Sequence, residues 1–158
     1  MAEHAIGETF RQMLQGLGAL EQALTAESEA LAAALSDPEA IALATQRKQA
    51  LVMEINGLVQ SVDRQLAEQG LATGRAGVES WLAGLPADHD LRNLWQAILD
   101  LGHRCKQMNE ANGLQIGLLS RRTKDALKIL LGGDSISDTY GPDGGGRIAS
   151  SSRTFYTA

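Results

Sequence analysis

Apolar residues recur along most of the chain at steps of three and four, the spacing that lines one face of a helix. The first run covers residues 2–35, with a stripe of Ile6, Phe10, Met13, Leu17, Leu20, Leu24, Leu31 and Leu35. Its steps break only at Glu27-Ser28, where the seam turns polar and packing is expected to loosen or meet water. A second run carries Ile41, Ala44, Lys48, Leu51, Ile55, Leu58, Val62 and Leu66. Lys48 stands on that stripe and is expected to pack its stem while its ammonium reaches solvent. The longest run spans residues 91–131. Leu91, Ile98, Cys105, Asn112, Leu119 and Ala126 recur in steps of seven. A second set, Leu94/Trp95, Leu101, Met108/Asn109, Ile116, Thr123 and Ile129/Leu130, falls three or four residues later. This pattern belongs to a helix that buries one narrow face against other helices. Such a helix would be about 60 Å long.

The breaks between runs set the topology. Ser36-Asp37-Pro38-Glu39 offers a capping aspartate, a proline suited to a first turn, and a Ser-x-x-Glu capping box. So short a connection makes the first two helices antiparallel neighbours. Gly16 and Gly18 flank the first stripe, where a partner helix could approach closely. Gly70, Gly74 and Gly77 predict a loop. Val78, Trp81, Leu82 and Leu85 then form a short helical turn that stops at Pro86, with Trp81 expected to plug one end of the core. After Gly132-Gly133, residues 132–158 hold six glycines, many Ser and Thr, and Pro142. That composition buries too little surface to order itself. The sequence therefore predicts an all-α antiparallel bundle of three long helices. A short helix sits in the second connector. The helical domain covers residues 1–131, and a flexible tail covers residues 132–158.

Composition narrows the chemistry. The apolar residues are mostly Leu and Ala, with two Trp, two Tyr and two Phe, as expected of long helices. A single cysteine, Cys105, excludes an intramolecular disulfide and a cysteine-based zinc site, and its seam position makes it a small core residue. The net charge of −5 opposes general nucleic-acid binding. Neither a signal-peptide pattern nor an apolar run long enough for a bilayer occurs, so a cytoplasmic protein without membrane insertion is expected.

No catalytic constellation emerges, and neither a cofactor nor a metal is expected. His4, His89 and His103 have no metal-ligand spacing, and no nucleophile stands beside a histidine in a known motif. Residues 141–146 are glycine-rich but lack the lysine and strand-to-helix setting of a phosphate loop. The carboxylates of the first two helices lie mostly off the stripes, and no Glu-x-x-His pair exists for a di-iron bundle. Arg121, Arg122, Lys124 and Lys128 crowd the last turns of the third long helix. There they complement the helix dipole or steer an acidic partner. Asn109, Asn112 and Gly113 interrupt the middle of that helix. They point either to a close helix crossing or to a place where the helix bends or frays.

Those residues also carry a family resemblance. Asn109-Glu-Ala-Asn112-Gly113-Leu-Gln-Ile116, preceded by Cys105, resembles the N-x-x-N-G-x-x-I core of the FlgN family of flagellar export chaperones. Asp37-Pro38-Glu39-Ala40 through Lys48-Gln-Ala-Leu51, and Thr139-Tyr140-Gly141-Pro142-Asp143-Gly144, are similar to that family as well. Gly16, Gly18 and the glycine-rich connector have no counterpart in it. The resemblance implies a non-enzymatic cytoplasmic chaperone for the hook–filament junction proteins FlgK and FlgL. It would bind their C-terminal helices, prevent premature assembly and deliver them to the flagellar type III export apparatus. The family's partner-binding region maps here onto the end of the third long helix and the tail.

Helix length leads to the same segment independently. The third long helix exceeds the first two by about ten residues, or about 15 Å. Its stripe nevertheless continues, and an apolar stripe beyond a matched bundle needs another surface. The expected partner-binding residues are Ile116, Leu119, Arg121, Arg122, Thr123, Lys124, Leu127, Leu130, Leu131 and Tyr140. The alternative is a structural or adaptor bundle that uses the same stripe to form a homodimer without a client.

Overall fold

The computed structural model describes residues 1–33 and 37–130. Four helices account for nearly all of them: α1 (Ala2–Ala32), α2 (Pro38–Glu68), α3 (Gly74–Ala83) and α4 (Asp90–Leu130). No strand occurs among the described residues. The expected all-α architecture of three long helices and one short one is therefore present. Leu35, Ser36, Leu131, Tyr140 and the rest of the expected tail lie outside the described residues.

Met1–Asn112 forms one compact unit, and residues 113–130 of α4 belong to a second. Within the first unit, cross-helix contacts fix the directions. Gln65 bonds Thr9, Gly16 lies against Ile55, and Glu27 meets Lys48. One number falls as the other rises, so α1 and α2 are antiparallel. Against α1, Cys105 reaches the Leu17 carbonyl and Asn112 the Leu24 carbonyl. Both numbers rise together, so α4 runs parallel to α1. This is the up-down-up course of a three-helix bundle.

The apolar stripes become the core as their spacing predicts. Ile6, Phe10, Met13, Leu17, Leu20, Leu24 and Leu31 of α1 are buried with Ile55, Val62 and Leu66 of α2 and Leu91, Trp95, Ile98, Leu101 and Cys105 of α4. Phe10 stacks on Trp95 at 5.3 Å and meets Trp81 edge-on at 6.4 Å. Each such ring pair adds about 0.5–1.5 kcal/mol beyond area burial. Trp81 thus covers the core from the short helix, as expected of it.

Both glycines beside the first stripe were candidates for a close approach, and only one makes it. A Cβ on Gly16 would stand 3.1 Å from Ile55 Cγ1, whereas one on Gly18 would meet nothing within 4 Å. The second connector also differs from expectation. α3 starts at Gly74, so Gly77 lies inside the helix rather than in the loop. Two distant side chains make that start and its end possible. Asp63 of α2 accepts from the Gly74 amide at 2.8 Å, the task of an N-cap, which the Thr73 side chain does not perform. At the other end, the Arg92 guanidinium donates to the carbonyls of Ala83, Leu85 and Pro86. A cation there also complements the helix dipole. Gly77 is fixed sterically, because a Cβ would collide with the Ala72 carbonyl.

At the head of α2, Asp37 caps as predicted, with Oδ1 accepting from the Ala40 amide at 3.1 Å and Pro38 in the first turn.

Candidate partner-binding site

The site begins where the first compact unit ends, at Asn112. Its side chain is only 2% exposed. Nδ2 donates to the Leu24 carbonyl and to Glu27 Oε2, both at 2.9 Å. Glu27 is fully buried. Its carboxylate also accepts from Thr45 Oγ1 at 2.9 Å and from Lys48 Nζ at 2.9 and 3.1 Å. Three helices therefore share one polar cluster: Glu27 from α1, Thr45 and Lys48 from α2, Asn112 from α4.

Two expectations are corrected here. The seam at Glu27 does not loosen or open to water, since all its acceptor positions are filled from neighbouring helices. Nor does the Lys48 ammonium reach solvent: it is 7% exposed as a residue and turned inward onto Glu27. Burying a charge is costly unless it is paired and hydrogen-bonded, and this pairing supplies both. Burial by itself raises the Glu27 carboxyl. Hydrogen bonds from Lys48, Asn112 and Thr45, together with the Lys48 charge, outweigh it and hold the group below its usual 4.5.

The other two members of the sequence motif do not share that role. Asn109 is exposed, and Gly113 is exposed with nothing within 4 Å of a Cβ placed on it. Asn112 alone of the three meets a neighbouring helix, and Gly113 makes no close approach among the described residues. The α-helix also runs unbroken through both positions, from Asp90 to Leu130.

Beyond Asn112 no described residue is buried. Of the expected binding residues, Ile116 and Leu119 are half-buried. Arg121, Arg122, Thr123, Lys124, Leu127 and Leu130 are exposed, Leu130 to 78%. Thr123 returns its hydroxyl to the Leu119 carbonyl at 3.0 Å. None of the four cations Arg121, Arg122, Lys124 and Lys128 takes part in an ion pair among the described residues. Leu114 and Leu118 are also exposed large apolar residues, and Ile129 is 82% exposed. None of these three was among the expected binding residues. Leu114 and Leu118 fall off the seven-residue step, and periodicity alone gave them no role.

No group of three or more potential metal ligands exists among the described residues. The Cys105 thiol is buried, donates weakly to the Leu17 carbonyl at 3.6 Å, and is pushed up to about 11 by burial. So held, it is a core residue and a poor nucleophile. No helix among the described residues is long and apolar enough to cross a membrane.

These features define an all-α bundle protein whose longest helix ends in an exposed, amphipathic, basic stretch. The family model described as FlgN protein matches residues 1–147. The chain belongs to the FlgN family, the flagellar export chaperones. No curated protein and no solved structure matches it significantly.

Proposed function

We propose that this chain is a cytoplasmic export chaperone for FlgK and FlgL. It binds their C-terminal helices through the end of α4, keeps them from assembling early, and passes them to the flagellar type III export apparatus. Family membership supports the chaperone role in flagellar assembly. The observation that carries the binding site is the exposure of Leu127 and Leu130, at helical spacing and beside cations that form no ion pair among the described residues. A chain segment of this kind gains stability by laying its apolar face against another helix. Release then comes from transfer to a further partner, since the sequence offers no phosphate-binding loop.

Calorimetric titration of FlgK and FlgL tests the reading, comparing the full chain with one ending at Gly113. The truncated chain is expected to lose most of its affinity. Unchanged affinity would remove the assignment of the binding site to α4. Light scattering run alongside separates the self-association reading. Dimers that vanish on truncation, without any client binding, favour a homodimeric adaptor.

A further inference from the structure

α2 carries a second regular pattern that the bundle does not use. Its buried residues, Ala44, Lys48, Ile55, Val62 and Leu66, fall on one side of the helix. On the opposite side, about 170° away, Leu43, Gln46, Ala50, Met53, Gly57 and Gln60 share an arc of about 100°. All six are exposed. Apart from the terminal Met1, Leu43 and Met53 are the exposed large apolar residues of the first compact unit, at 68% and 75%. A Cβ on Gly57 would meet nothing within 4 Å, so the strip is open there. Its charges stand only at the two ends, Glu39 and Arg64. From Glu39 to Arg64 the positions alternate steps of four and three, the spacing of a helix that packs along another helix.

We infer that this strip pairs with the same strip of a second copy, the two α2 helices running antiparallel. Self-complementarity selects that occupant. With a two-fold axis between Leu51 and Val52, Ala50 faces Met53 of the copy, Gln46 faces its Gly57 and Leu43 its Gln60. Large side chains thus meet small ones in the layers nearest the axis. At the ends Glu39 faces Arg64, and beside the strip Arg47 faces Glu54, each pair occurring twice by symmetry. All four charged residues are exposed, and none takes part in an ion pair among the described residues. Other alignments set like charges together, which disfavours them. A slip of seven residues brings Arg47 against Arg47 or Glu54 against Glu54, and parallel helices bring Glu39 against Glu39 and Arg64 against Arg64. The strip is about 38 Å long and about 10 Å wide. That is on the order of 400 Å² per copy, below the roughly 800 Å² of a standard stable interface. The dimer is therefore weak and concentration-dependent. None of the proposed client-binding residues lies on the strip, so the inference does not rest on the chaperone reading.

Sedimentation equilibrium of the full chain at low salt, from micromolar to millimolar concentration, tests the pairing. A reversible monomer–dimer equilibrium is expected. Met53→Lys keeps helix propensity and should weaken the dimer by about tenfold or more. Arg47→Glu alone, and Glu54→Arg alone, should each weaken it by about tenfold, because like charges then meet twice. Arg47→Glu/Glu54→Arg restores opposite signs and should recover most of that loss. Since the substituted residues are exposed, dilute samples of the variants should melt with the unmodified chain. A lower melting temperature for Met53→Lys would mean that the chain covers the strip itself, and would overturn the inference. A chain that stays monomeric throughout would also overturn it, as would a dimer that Met53→Lys leaves unchanged. A double variant that dimerises no better than the weaker single one would refute the antiparallel register and the inference with it.

Discussion

Replacing Lys48 with methionine isolates what the buried cluster contributes. Methionine keeps much of the stem's volume, so the cavity left behind is small. What disappears is the ammonium and two of the four hydrogen bonds that neighbours donate to the Glu27 carboxylate, those at 2.9 and 3.1 Å. Thr45 and Asn112 remain as donors, but the charge stays buried without a counter-charge. Removing one partner of a buried ion pair costs about 3–5 kcal/mol. For a folded region of this size that is a fall of roughly 10–20 °C in melting temperature. Urea denaturation followed by circular dichroism measures the difference directly, and a loss below about 1 kcal/mol would refute the reasoning. The pH dependence supplies a second check. In the unmodified chain the Glu27 value is lowered, so its contribution is complete above pH 4.5 and is lost as pH falls through the folded value. In Lys48→Met, burial dominates and raises that value, so protonation favours the folded state. The gap between the two proteins should therefore narrow as pH drops from 7 toward 4.5. Glu27→Gln/Lys48→Met, which buries no charge, should recover much of the loss at pH 7.

Two glycines should respond in opposite directions. Gly18→Ala meets no atom within 4 Å in a helix interior and should raise stability by about 0.5–1 kcal/mol, whereas Gly77→Ala drives a Cβ into the Ala72 carbonyl and should cost about 1–3 kcal/mol, both read by urea denaturation. Cys105, with its thiol pushed up to about 11, should resist alkylation at pH 8 in the folded chain and react on adding denaturant. Fast labelling without denaturant would show that the Leu17–Cys105 contact opens readily.

The long helices were legible because their stripes are nearly uninterrupted, and burial follows those stripes residue by residue along α1. The polar cluster was not. Glu27 and Lys48 each looked like a local fault in its own stripe, and their meaning lies in facing each other across the hairpin. The signal was available in pairs: 9 with 65, 16 with 55 and 27 with 48 sum to nearly the same value. A hairpin whose centre falls near Asp37 places an acid and a base opposite one another. Asn112 was legible from its seven-residue step, while Asn109 and Gly113 shared its neighbourhood without its partners. The start of α3 was hidden for another reason. Its cap comes from Asp63, eleven residues upstream on another helix, which no local pattern reports. Leu114 and Leu118 were passed over because a search for one stripe discounts apolar residues that fall outside it.

The Asn112 amide has a consequence for alignment errors. Leu- and Ala-lined seams tolerate sliding, because one heptad looks much like the next. If α4 slipped by seven residues along α1, Cys105 or Leu119 would stand where Asn112 now meets Glu27. The carboxylate would lose a 2.9 Å donor, the Leu24 carbonyl would lose another, and the displaced amide would enter apolar surroundings. Leaving such buried groups unsatisfied costs about 1–3 kcal/mol each, which a repeated leucine pattern cannot restore. Asn112 thereby fixes which residues of α4 are buried in the bundle and where along the helix burial ends.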